Sequence, residues 1–231
     1  MESKIAGFSM RQAAAFVTLL IAAAFLAGCT HDRSGDPRKH YASFNVAPPQ
    51  GQAVEVCRAY TCKVKTTYYF HKSDIAELAA IMRKTKRADT PFEERRAVAY
   101  AISRIEIKVA AKLGLKDRAG MEYGGSGDLT QQDCVDEATN TTSYLLVLQS
   151  NKLLKHHTVE IPFSKGDLLK GALQGDPIKY WPHWTAVIQE TKTGQKYAVD
   201  SWIYENGENP AVVKVEDWYI KDLASLPKST Y

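Results

Sequence analysis

The sequence is poor in features that would assign a common function outright. It has four cysteines in 231 residues, at spacings that fit no zinc module, so neither a dense disulfide scaffold nor a four-ligand structural metal site is legible. Beyond the first 28 residues there is no apolar run of membrane-spanning length. No internal repeat occurs. No run of lysine and arginine is interleaved with aromatics, which argues against a nucleic-acid partner. The glycine-rich stretch Tyr123-Gly124-Gly125-Ser126-Gly127-Asp128 lacks the Gly-Lys-Ser/Thr ending that cradles phosphate, which excludes a P-loop. Charge is nearly balanced, with 30 basic and 26 acidic residues.

The N-terminus reads as an export signal. Lys4 and Arg11 supply positive charge, and Ala13–Leu26 forms an apolar run too short to span a bilayer comfortably. Leu26-Ala27-Gly28-Cys29 resembles a bacterial lipobox, whose cysteine carries a diacylglyceryl thioether after cleavage. Residues 1–28 are therefore read as a lipoprotein signal peptide and Cys29 as the lipidation site. The resemblance implies a periplasm-facing lipoprotein held to the membrane through its lipid. Thr30, a non-Asp residue after the cysteine, points to the outer membrane. Residues 29–52, rich in polar residues, Gly and Pro, are expected to form a flexible tether. The remainder, 53–231, suits one domain.

Cys57 and Cys62 lie close enough in sequence for a turn to bring them to bridging distance. The alternatives are two free thiols or half of a zinc site completed by His71 or the His156-His157 pair. Ile75, Leu78, Ala79 and Met82 recur at helical spacing after Ser73. Thr90-Pro91-Phe92-Glu93 combines an N-cap with Pro in the first helical position. Val98, Ile102, Ile105 and Val109 continue that helix, and Gly114 closes it. Its charged face (Arg95, Arg96, Arg104, Lys108) is expected to be solvated. A third helix is expected to start between Thr130 and Asp133 and to run to Gln149. The pattern then turns to strands, at Thr158–Phe163, Trp184–Gln189, Lys196–Trp202 and Ala211–Val215, with Thr191–Gln195 as a hairpin turn. Helices first and antiparallel strands later predict an α+β fold.

Cys134 is then an odd thiol in a chain expected to reach an oxidising compartment. It stands at the start of the third helix, where free N–H groups and the helix dipole favour a thiolate. A thiolate nucleophile needs a nearby histidine and a group to orient it. His183 lies at the start of one hairpin strand and Asp200 at the end of the other, and antiparallel pairing brings such positions side by side. The Cys134 N–H, with Gln131 or Gln132, would supply the oxyanion donors. Asp136 and Glu137 are expected on a solvated face, and His156 and His157 at a helix end. Trp181, Trp184 and Trp202 gather around the proposed site, either as its wall or as hairpin packing.

The segments Asp133-Cys134-Val135-Asp136-Glu137-Ala138, His183-Trp184-Thr185-Ala186-Val187 and Val199-Asp200-Ser201-Trp202 resemble the transglutaminase-like superfamily. Within it they are most similar to bacterial transglutaminase-like cysteine proteinases. That resemblance implies a papain-like core, in which the cysteine helix packs on an antiparallel sheet. It also implies a Cys134–His183–Asp200 triad. The Gly-Asp usual before the cysteine in that group is Gln132-Asp133 here. Two readings follow. One is a cofactor-independent cysteine peptidase, amidase or acyltransferase acting on periplasmic proteins or peptidoglycan peptides. The other is an inactive envelope module that binds a peptide or protein partner in the same groove.

Overall fold

A computed structural model describes residues 35–120, 125–166, 168–175, 182–222 and 225–226. Cys29 and the rest of the export segment, Tyr123 and Gly124 of the glycine-rich loop, and Trp181 lie outside the described residues. Ser34–Tyr231 is one compact unit. Helices and strands follow in the order α1 (Arg38–Ser43), β1 (Ala53–Arg58), β2 (Val64–Tyr69), α2 (Lys72–Lys84), α3 (Pro91–Leu113) and α4 (Cys134–Ser150). The order continues with β3 (His157–Lys165), α5 (Leu168–Gln174), β4 (His183–Glu190), β5 (Lys196–Asp200), β6 (Ala211–Lys214) and α6 (Val215–Ile220). Strands β1 and β2 pair as a hairpin, and β3-β4-β5-β6 form an antiparallel sheet in sequence order. The fold is α+β. No helix among the described residues is long and apolar enough to cross a membrane.

Helix α4 lies at the centre. It packs against β4, β1 and β3, and every residue from Cys134 to Leu148 is buried. Its middle is polar nonetheless, and each polar group is satisfied. Thr139, Thr142 and Ser143 donate to carbonyls four residues back, as Ser and Thr do inside helices. Asn140 brackets Cys57 of β1, accepting from its N–H at 2.7 Å and donating to its carbonyl at 2.9 Å. The apolar stripe of α3 is buried as its spacing predicts, and Thr90 and Gly114 cap its ends.

Three expectations are corrected here. Residues 35–52 are no flexible tether. They hold α1, whose Tyr41 is fully buried and bonded to Ser143 at 2.9 Å. His40 bonds Thr139 at 2.8 Å, and Gln50 bridges Ala53. Three large or apolar side chains (Tyr41, Phe44, Val46) suffice to bind this polar-looking segment to the core.

The charged face of α3 is not solvated either. Arg95 and Arg96 are buried, because carboxylates and a ring meet them. Arg95 reaches Glu190 at 3.1 Å and lies 3.8 Å over the Tyr197 ring. Arg96 pairs with Glu93 at 3.0 Å. Arg104 and Lys108 pair with Glu77 of α2. His157 is likewise no helix-end group. It is buried between Glu94, at 2.9 Å from Nδ1, and Arg95, at 3.2 Å from Nε2.

Glu94 joins this network to the backbone by accepting from Lys155 N–H at 2.8 Å and His156 N–H at 2.9 Å. Burial works to raise its carboxyl, but the His157 side chain, followed by these two N–H donors, holds it below the usual range. Replacing Glu94 by Gln sets an amide N–H₂ against one of these donors. The expected cost is about 2–4 kcal/mol, on the scale of a broken buried hydrogen-bonded charge, read as a lower urea midpoint at unchanged slope.

Candidate active site

Hairpin geometry places His183 and Asp200 as the sequence predicts. In the β4–β5 pair Ala186 faces Val199, so the start of β4 approaches the end of β5. His183 Nε2 lies 2.7 Å from Asp200 Oδ2, both side chains being buried. A carboxylate only accepts, so Nε2 carries the proton and Nδ1 is the basic nitrogen. Nδ1 is buried and has no hydrogen-bond partner among the described residues. The ring is held between Trp202, 4.7 Å away at 38°, and Trp218, 5.5 Å away at 32°. Trp218, fully buried on α6, also donates its indole N–H to Asp200 Oδ2 at 2.7 Å. Trp184 faces the other way, toward His40 of α1 and Phe44, the C-cap of that helix.

Cys134 is the first residue of α4 and is 7 % exposed. Its sulfur meets the backbone on both sides of His183, 3.8 Å from the Pro182 carbonyl and within reach of the Trp184 N–H. Burial pushes the thiol up to about 12, the carboxylates of Asp133 and Asp200 push the same way, and the N–H groups of Trp184 and Cys134 oppose them. An isolated thiolate is therefore disfavoured here, helix N-terminus notwithstanding.

The start of α4 is fixed by an unusual clasp. Ala59, Tyr60, Thr61 and Cys62 all have left-handed backbone, with φ of 65, 71, 56 and 54°. Such conformations cost roughly 1–2 kcal/mol each for non-glycine residues. The turn is closed by the Cys57–Cys62 disulfide, the favoured pairing from the sequence. Its N–H groups converge on two helix-cap carboxylates. Tyr60 and Cys62 donate to Asp136 at 2.8 and 2.6 Å, and Thr61 donates to Asp133 at 3.0 Å. Asp133 in turn caps Val135 and Asp136 N–H at 3.1 and 2.9 Å. These buried hydrogen bonds, together with the disulfide, oppose the strain of the turn. Cys57, Cys62 and Asp136 also lie close enough to share a metal ion. Both sulfurs are spent in the disulfide and both Asp136 oxygens accept backbone N–H groups, so nothing remains to ligate one.

Asp136 and Glu137 thus depart from the solvated face expected of them. Behind the cysteine, Glu137 accepts from Ser201 at 2.7 Å and shares a side-chain hydrogen bond with Asp117. Asp117 accepts from Gln132 N–H at 2.7 Å, and Glu106 accepts from Gly207 N–H at 3.2 Å. Burial and mutual repulsion raise all of them: Asp117 and Asp136 to about 8, Glu137 to about 7, and Glu106 well above its ordinary value. The two oxyanion candidates hold this loop in place. Gln131 Nε2 donates to the Lys116 carbonyl at 2.8 Å, and Gln132 Nε2 to the Cys57 carbonyl at 2.9 Å. The Cys134 N–H keeps its place at the helix start.

Sequence reasoning missed Trp218, Glu106 and Asp117. None stands at a spacing that ties it to the hairpin, and α6 is too short to announce itself by periodicity. No family model, curated protein or solved structure matches the chain.

Two outcomes are expected. Carboxyls raised in the folded state stabilise it fully below their unfolded value of about 4, and that contribution is lost as pH rises through 7 to 8. The urea midpoint is therefore higher at about pH 5.5 than at about pH 8.5, and Asp117→Asn flattens the difference. Replacing Cys57 and Cys62 together by serine releases the left-handed turn. The double variant is expected to lose about 2–4 kcal/mol, with faster amide exchange at Val135 and Asp136.

Proposed function

We propose that the protein is a cysteine-dependent acyl-transfer enzyme of the cell envelope, acting on amide or isopeptide bonds. The observation that carries this reading is the His183–Asp200 bond. It leaves a buried Nδ1 that has no hydrogen-bond partner among the described residues, the Cys134 sulfur included, on the residue whose flanking backbone touches that sulfur. In this reading Nδ1 takes the thiol proton and the sulfur attacks the carbonyl. The imidazolium returns the proton to the leaving amine, and water or a second amine resolves the thioester. Asp200 fixes the tautomer and stabilises the imidazolium. Trp218, bonded to the same oxygen, positions Asp200. The Cys134 N–H is the first donor for the oxyanion. The α+β architecture and the order Cys, His, Asp support kinship with transglutaminase-like cysteine proteinases and their papain-like core.

The sequence Leu26-Ala27-Gly28-Cys29 supports a lipid anchor, with periplasmic proteins or peptidoglycan peptides as substrates. On the same reading the packed domain begins within about ten residues of the anchor, a reach of at most about 35 Å. The substrate is then one that lies near the membrane.

A second reading is favoured by one observation, the near-complete burial of Cys134 with its raised thiol. There the site is a closed binding module. A peptidyl acyloxymethyl ketone separates the two. The enzyme reading expects stoichiometric labelling of Cys134 at pH 7, none in Cys134→Ala, and labelling slowed about 10²–10⁴-fold in Asp200→Asn. Trp218→Phe, which keeps the ring and removes the N–H, is expected to slow labelling about tenfold with Cys134 and His183 intact. An unlabelled native protein whose denatured form does react would establish the binding module instead.

A further inference from the structure

At the far end of α4 from Cys134, some 25 Å away by helix rise over 17 residues, lies a cleft of about 480 Å³. It is lined by Arg83, Lys86, Arg87, Lys152 and Lys155 around an apolar floor of Ala79, Met82 and Leu153. Its one carboxylate, Asp89, is already engaged by Lys155 and His156. Arg83, Lys86, Arg87 and Lys152 have no side-chain hydrogen bond or ion pair with any described residue. That contrasts with α3, where Arg95, Arg96, Arg104 and Lys108 are each matched to a carboxylate. We propose that this cleft is a binding site for a phosphate group carried on an amphiphile, the phosphoryl headgroup of a lipid.

Cations gather at helix C-termini for a simpler reason, to offset the dipole. That accounts in part for Arg83 in the last turn of α2 and Lys152 beyond α4. Lys86 and Arg87 directly follow the α2 C-cap Thr85, where the same dipole favours positive charge, but offsetting a dipole does not call for four cations around one cleft whose carboxylate is already engaged by Lys155 and His156.

Backbone conformation provides a second, independent indication. Lys152 has φ of 58°, directly after the α4 C-cap at Asn151. This is the left-handed position that helices usually fill with glycine. A lysine placed there at a conformational cost is explained by what its ammonium does in the cleft. Two guanidinium groups favour phosphate, which they can grip in two-point geometry. The apolar side chains of Ala79, Met82 and Leu153 beside the cations suit a headgroup with attached chain better than a bare ion.

The test uses the full chain in uncharged maltoside micelles. One arm titrates inorganic pyrophosphate and the other dopes the micelles with phosphatidylglycerol. The proposal expects tighter binding in the lipid arm, weakened at least tenfold in R83Q/K86Q/R87Q/K152Q. Binding should also weaken with added salt and should be retained in K39Q/K112Q/K116Q/K192Q, which removes four cations elsewhere. Equal or tighter pyrophosphate binding at the same residues would overturn the lipid assignment in favour of free phosphate. Equal losses in both quadruple variants, or no binding in either arm, would overturn the site altogether. Lys152→Gly supplies a fold-preserving check. It is expected to raise the melting temperature while weakening binding several-fold, and unchanged binding in that more stable variant would remove Lys152 from the site.

Discussion

The fold depends on holding one helix, α4, by its N-terminus while burying it on every side. Burial alone would leave its first N–H groups without partners in an apolar setting. Asp133 and Asp136 fill that need from within the helix start, and their remaining oxygens accept the left-handed turn of the Cys57–Cys62 loop. The first hairpin is thereby welded to the element that bears Cys134. Asn140 and Gln132 extend the same attachment along Cys57. A residue at the start of such a helix has little freedom to wander, which is the positional accuracy that a reactive group needs.

The same burial sets the electrostatics. Burial first, and then the mutual repulsion of the acids gathered around the helix start, make Asp117, Asp136 and Glu137 hold protons at unusually high pH. Cys134 feels that field, and its thiol is pushed up rather than down. A thiolate at this position is stable only beside a newly formed cation. Asp200, accepting from both His183 and Trp218 at 2.7 Å, is placed to stabilise an imidazolium on His183. In the proposed mechanism the ion pair forms as a unit.

Much of this was legible from pattern. The α3 stripe, the Thr90 and Gly114 caps, the start of α4 and the β4–β5 hairpin each follow from local rules of spacing and capping, and the His183–Asp200 pairing follows from the hairpin. What was not legible depends on partners distant in sequence. Arg95 reads as solvated until Glu190 and Tyr197 arrive from β4 and β5. Tyr41 reads as part of a tether until Ser143 offers a partner. Asp136 and Glu137 look like an exposed acidic turn, because nothing local announces that loops 59–62 and 201–207 will cover them. Trp218 sits on a six-residue helix with no periodic signal, yet it is the second donor to Asp200.

The central claim is that Cys134 ionises only through His183. The most direct measurement is the pH dependence of Cys134 alkylation by iodoacetamide, compared between the native chain and His183→Ala. The account predicts reactivity at and below neutral pH in the native protein, and an apparent ionisation well above the ordinary thiol value of about 8.5 once the imidazole is gone. Identical profiles in the two proteins would contradict it.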